Sequence, residues 1–141
     1  MRVILAGSRG IPQNMMFLEQ CIGWAREYAG IEVTEVIGGM ARGVDTTGMQ
    51  WAAANGIPFH AFPADWEKHG VVAGLIRNCK MRAFGEGLIA VWDGHSAGTK
   101  HMIEQMITYK KPYFYFDLAL GDYFYGNNAG RESKERRKET A

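Results

Sequence analysis

The chain has 141 residues, 47% of them hydrophobic and 22% charged, with a formal net charge of +1. A chain of this length buries about two-thirds of its unfolded surface, enough for one domain that folds without covalent staples. The near-neutral balance excludes a global electrostatic drive toward nucleic acid or membrane, and two cysteines, Cys21 and Cys79, are too few for a disulfide framework. Reduced thiols and a cytoplasmic location are expected.

Val3-Ile4-Leu5-Ala6 is a continuous apolar run of buried-strand type, ended by Gly7. It begins at once after Met1 and is too short for a secretory signal core. A helix is expected next, opened near Ile11-Pro12, carrying Phe17, Leu18, Cys21, Ile22, Ala25 and Tyr28 at helical spacing and stopped by Gly30. Residues 33–37 read as a second strand, and a helix runs from Asp45 through Trp51 and Ala54 to Gly56. Residues 57–62 read as a third strand led by Pro58. Residues 63–70 read as irregular, and residues 71–84 as a helix that Gly74 weakens. A fourth strand over 87–92, a helix over 99–110 and a fifth strand over 113–116 complete the pattern. No apolar run approaches the ~20 residues of a membrane span.

Strands alternating with helices imply right-handed crossovers and a parallel sheet covered on both faces. The expected fold is therefore an α/β, Rossmann-like three-layer sandwich with a mainly parallel five-stranded sheet. Residues 1–130 form its single domain. The aromatic segment Tyr123-Phe124-Tyr125 packs either across the sheet edge or on a neighbouring subunit, and the sequence leaves that open. Residues 131–141 carry five basic and three acidic side chains without an aromatic, and read as a solvated, disordered tail.

Three glycine-rich turns follow strands and lead into helices, and in a parallel sheet such turns converge on one edge. Gly7-Ser8-Arg9-Gly10 offers close backbone approach, a hydroxyl and a guanidinium for a phosphate or ribose; it also reads as a plain tight turn. Gly38-Gly39-Met40-Ala41-Arg42-Gly43-Val44-Asp45 adds a second guanidinium, with Asp45 either capping the helix or accepting from a ribose hydroxyl. Asp93-Gly94-His95-Ser96-Ala97-Gly98-Thr99 presents hydroxyls and helix N-terminal N–H groups to an anion. Between the second and third turns, Asp65, Trp66, His69, Arg77 and Asn78 supply an aromatic face and polar groups for a base and ribose. Trp66 as satellite core, His69 as a surface histidine and Arg77 as half of an ion pair are the plainer alternatives. Neither the dinucleotide glycine fingerprint nor a P-loop lysine motif occurs, and the histidines at 60, 69, 95 and 101 have no zinc spacing. No metal site is expected beyond a magnesium ion carried in with ligand phosphates.

Four stretches, AGSRG at 6–10, GGMARGVD at 38–45, ADWEKHGVVAGLIRN at 64–78 followed by Met81, and WDGHSAGTKHMI at 92–103, resemble the SLOG superfamily of Rossmann-like proteins. Within it they are most similar to the small YspA/YpsA-related group, over residues 1–112. The resemblance implies binding of a nucleotide or nucleotide-derived signal of the NAD or ADP-ribose type, by a sensor, sequestering or ligand-handling protein that forms a homodimer or higher homo-oligomer. Gly7, Ser8, Gly38, Gly39, Gly43, Gly98 and Thr99 would form the phosphate floor, and Asp93 and Ser96 are further ligand-binding candidates in the third turn. Arg9, Arg42 and Arg77 would neutralise charge, Asp45 or Asp65 would hold ribose, and Trp66 and Asn78 would meet the base. The related LOG-type phosphoribohydrolases imply an alternative, cleavage of an N-glycosidic or phosphoester bond, with Asp45, Asp65, His69, Arg77 and Asp93 as candidate catalytic residues. Met102 stands where those enzymes carry a glutamate. The related DNA-processing protein DprA implies single-stranded DNA as a third ligand, which the near-neutral charge disfavours.

Overall fold

The computed structural model describes residues 1–8, 14–39, 44–126 and 136–137. Its elements are β1 (Arg2–Gly7), α1 (Met15–Ala29), β2 (Glu35–Gly38), α2 (Val44–Ala54), β3 (Phe59–Ala61), α3 (Trp66–His69), a 3₁₀ turn (Gly70–Val72), α4 (Ala73–Phe84), β4 (Gly87–Trp92), α5 (Ala97–Thr108), β5 (Tyr113–Asp117), β6 (Asp122–Gly126) and β7 (Arg136–Arg137). The sheet order is β3-β2-β1-β4-β5-β6-β7, parallel from β3 through β5 and antiparallel beyond.

The period-2 geometry of the strands divides the core into two layers. Val3, Leu5, Val36, Ile89, Val91, Phe114 and Phe116 face α1 and α2, where Leu18, Cys21, Ala25 and Ala52 meet them. Ile4, Ile37, Leu88, Ala90, Tyr113 and Tyr115 face the opposite way, against Met81 of α4 and Met102, Ile103 and Met106 of α5. This is the expected Rossmann-like three-layer α/β sandwich. Strands 1 to 3 run outward with their helices on one face. The chain then returns to the middle and runs outward again with α4 and α5 on the other, as right-handed crossovers require.

Two expectations need correction. The sheet has seven strands among the described residues rather than five. After β5 the chain reverses in a tight turn in which Asp117 Oδ1 accepts the N–H groups of Ala119 and Leu120 at 2.9 and 3.1 Å, with Gly121 at φ 66°. The aromatic segment thus pairs with β5 at the sheet edge, Tyr115 opposite Phe124, and Tyr123 packs onto Trp24 at 5.0 Å. Residues 136–137 pair with β6. Residues 63–70 also contain α3, capped by Asp65, whose carboxylate accepts the Lys68 N–H at 3.1 Å. A four-residue helix is too short to show a period.

Cys21 is buried in α1, and burial pushes its thiol up to about 12, whereas Cys79 on α4 is partly exposed. A thiol reagent at neutral pH is expected to modify Cys79 and spare Cys21 until the protein is denatured. Mass spectrometry of the labelled protein checks this, and equal native labelling of both would contradict the packing of α1.

Candidate ligand cavity at the sheet switch point

Strand order reverses between β1 and β4, which opens a crevice beyond their carboxyl ends. A cavity of about 450 Å³ occupies this place, lined by the end of β1, by α3 and α4, and by the first turn of α5. Its size lies within the range of small-molecule sites.

At the end of β1 a Cβ on Gly7 would overlap the Val44 side chain and lie 3.0 Å from the Val91 carbonyl. Only glycine lets α2 and β4 close on this strand. Ser8 follows, 1% exposed. Its N–H donates to Val91 O at 3.1 Å and its Oγ accepts the Asp93 N–H at 3.0 Å, so the hydroxyl joins the first turn to the third.

The third turn is shaped by Asp93. Its Oδ1 accepts the N–H groups of Ser96 and His95 at 2.7 and 2.8 Å, and its Oδ2 accepts the Ser96 hydroxyl at 2.7 Å. The backbone bonds from Ser96 and His95, then the Ser96 hydroxyl, hold this carboxyl far below the usual carboxylate range. With the turn fixed, α5 starts at Ala97, and the N–H groups of Ala97, Gly98 and Thr99 precede the first intrahelical donor, Lys100 N–H to Ser96 O at 3.2 Å, and carry the positive end of the helix dipole. All three residues line the cavity. Thr99 is 7% exposed, and its hydroxyl has no hydrogen-bonding partner among the described residues.

Arg77 of α4 lines the same cavity. Its Nη1 donates to the Gly39 carbonyl at 2.7 Å and its Nε to Asn78 Oδ1 at 3.0 Å. A Cβ on Gly39 would displace this guanidinium. Asp45 Oδ2 accepts the Gly39 N–H at 3.2 Å, and Asp45 lies within the first turn of α2 rather than before it. At the mouth, the Trp66 indole lies beside Gly74, where an added Cβ would be in ordinary contact with the ring at 3.7 Å. Val71, 95% exposed, and Leu75 continue this apolar lip, and Met102 forms the buried floor.

Of the residues proposed from sequence, Gly7, Ser8, Trp66, Arg77, Asn78, Ser96, Gly98 and Thr99 line one cavity. Gly38, Gly39 and Asp45 stand behind it, connected through Arg77, and Asp93 braces its edge. Asp65 and His69 belong to α3 and its cap and do not line it. Arg9, Gly10, Arg42 and Gly43 lie outside the described residues. Val71, Gly74, Leu75 and Ala97 also line the cavity. Among the described residues no group of three or more His, Cys, Asp or Glu is placed to hold a metal ion. Nor is any helix there long and apolar enough to cross a membrane.

A mainly parallel, doubly covered sheet with glycine turns at its carboxyl edge defines a Rossmann-like α/β protein with a crevice site. Residues 1–69 match YAcAr, the YspA, cpYpsA-related SLOG family. The chain is similar to the Gene 61 protein of Mycobacterium phage D29, 38% identical over 76 residues that make up 50% of this chain and 61% of that protein. It is also similar to a solved structure of the phosphoribosylglycinamide formyltransferase purN from Coxiella burnetii in complex with CHES, with a TM-score of 0.44 and 15% identity over 82% of this chain and 50% of that one. The chain thus spans less than two-thirds of the length of either protein.

Proposed function

We propose that this protein binds a phosphate-bearing nucleotide or nucleotide-derived ligand, of the AMP or ADP-ribose type, in the switch-point cavity and holds it intact as a sensor or sequestering protein. The observation that carries this reading is the buried Thr99 hydroxyl, unpartnered among the described residues, beside the three first-turn N–H groups of α5 in a cavity that Arg77 also lines. A buried hydroxyl without a partner costs about 1–3 kcal/mol, and a phosphate oxygen would satisfy it together with the helix N–H groups. The apolar lip of Trp66, Val71 and Leu75 offers a flat base a stacking surface.

Retention is favoured over cleavage because the described lining contains no Asp, Glu or His, and the floor position is Met102. A thioether neither carries a proton nor stabilises an oxocarbenium ion. Of the carboxylates proposed for a hydrolase, Asp93 is committed to its turn, Asp65 to the α3 cap and Asp45 to Gly39. Any magnesium would arrive on the ligand phosphates. A homo-oligomer is part of the same reading, and sedimentation velocity measures it.

Calorimetric titration with AMP, NAD and ADP-ribose, followed by chromatography of the mixture after long incubation, tests the function. Saturable binding with recovery of unchanged ligand is expected; absence of binding to all three refutes it, and stoichiometric loss of the base supports the hydrolase instead. Thr99→Val separates a ligand role from a structural one. It is expected to lower affinity about five- to tenfold, on the order of 1 kcal/mol, while leaving the melting temperature of the free protein unchanged or higher.

A further inference from the structure

Asn78 sits in the middle of α4, 5% exposed, where an amide is costly unless each of its hydrogen-bonding atoms is matched. Its oxygen accepts from Arg77 Nε at 3.0 Å, and its nitrogen donates to the Gly98 carbonyl at 3.1 Å and to His101 Nδ1 at 3.2 Å. The amide has one workable direction. Turned over, it would set oxygen against the Gly98 carbonyl and NH₂ against Arg77 Nε. That direction requires Nδ1 of His101 to accept, which assigns the ring proton to Nε2.

We propose that Asn78 is a positioning residue of the ligand cavity: it locks the Arg77 guanidinium to the first turn of α5, and neutral His101 fixes the direction of its amide. The proposal rests on reading the cavity as a phosphate-ligand site. Arg77 is anchored to the end of β2 through Gly39, and Asn78 carries that anchor on to Gly98. One side chain thereby sets the distance between the two positive walls of the cradle. Without it the planar fork of Arg77 loses the bond that holds its Nε, and a bidentate grip on an anion depends on orientation.

The His101 ring is the pH-sensitive part of this chain. Burial holds its imidazolium form down, and Glu104 on α5 acts in the opposite sense. The other charged groups on or packed against α5 are Lys100 on α5 itself, Arg77, Lys80 and Arg82 on α4, and Asp117 at the end of β5; β4 carries none. Arg82 is engaged by Gln105 Oε1 at 3.1 Å and lies over Tyr109. A proton on Nδ1 would face the Asn78 N–H, donor against donor. The clamp is therefore intact above the ordinary histidine value of about 6.5 and loosens as pH falls through the lower folded value.

The test uses wild type, Asn78→Ala and the milder His101→Gln, which keeps an acceptor but cannot titrate. Calorimetry with AMP, ADP-ribose and adenosine at about pH 7.5 and about pH 5.5 is combined with the Arg77 Nε–H resonance of the ligand-free proteins. Asn78→Ala is expected to weaken AMP and ADP-ribose about tenfold, to move adenosine little, and to remove the protection of Arg77 Nε–H from exchange with water. Wild type is expected to lose more affinity toward the lower pH than His101→Gln, the titration of the phosphate itself being common to both. Wild-type phosphate affinity in Asn78→Ala, an unchanged Arg77 signal, or identical pH profiles in the other two proteins would overturn the assignment. A wild type that binds none of the probes refutes the function instead, and the Arg77 signal still decides the role of Asn78.

Discussion

Replacing Arg77 by alanine is expected to weaken AMP and ADP-ribose binding about 100-fold, on the order of 3 kcal/mol, and to lower folding stability by roughly 1–2 kcal/mol. Both effects come from one side chain. Its guanidinium is the cation that the described residues place in the cavity, and its bonds to the Gly39 carbonyl and Asn78 Oδ1 lose their donor when it is truncated. Arg77→Lys should recover stability only in part and little of the affinity. An ammonium cannot serve Gly39, Asn78 and a phosphate with one planar fork. Calorimetry and urea unfolding of the three proteins read the two effects separately, and an Arg77→Ala protein with wild-type affinity would show that the anion sits elsewhere.

Asp93→Ala is expected to produce the second large effect, a loss of about 1–2 kcal/mol in stability together with weaker phosphate binding. The substitution strands the His95 and Ser96 N–H groups and the Ser96 hydroxyl, so the first turn of α5 loses the brace that aims its N–H groups. The pH dependence carries its own signature. Because the folded carboxyl titrates below its ordinary value, its contribution is fully present above about pH 4 and drains away as pH falls from there toward the depressed folded value. Thermal melts of wild type should therefore fall more steeply below about pH 4 than those of Asp93→Asn. Parallel profiles would mean that the turn is held by something other than the ionised carboxylate.

The elements that were legible in the sequence are those with a strong period or a hard stop. The run over 87–92 is β4 residue for residue, and Gly30 closes α1 in the left-handed conformation at φ 66°. The third glycine-rich turn was legible as a strand-to-helix junction because Asp93-Gly94 follow a buried strand directly. What was hidden depended on contacts between distant residues. Ser8 reads as a ligand donor, yet its hydroxyl accepts an N–H from a residue 85 positions away. Asp93 reads as a candidate acid, but its oxygens are claimed by its own turn. Asn78 was visible as a polar group near the site, while its bonds to Gly98 and His101 exist only once α4 and α5 are packed. The sixth strand escaped because its aromatic run shows no alternation and its partner lies across a short turn.

The central claim is that a phosphate-bearing ligand sits on the first turn of α5, facing Arg77. Titration of AMP and of ADP-ribose into isotopically labelled protein, followed through the backbone amides of Ala97, Gly98 and Thr99 and the Arg77 Nε–H, measures this at the atoms concerned. The account predicts that these four signals shift together and saturate with one binding constant for at least one of the two ligands, accompanied by the Trp66 indole N–H. Saturating concentrations of both that leave the three α5 amides in place, whatever moves elsewhere, would contradict it.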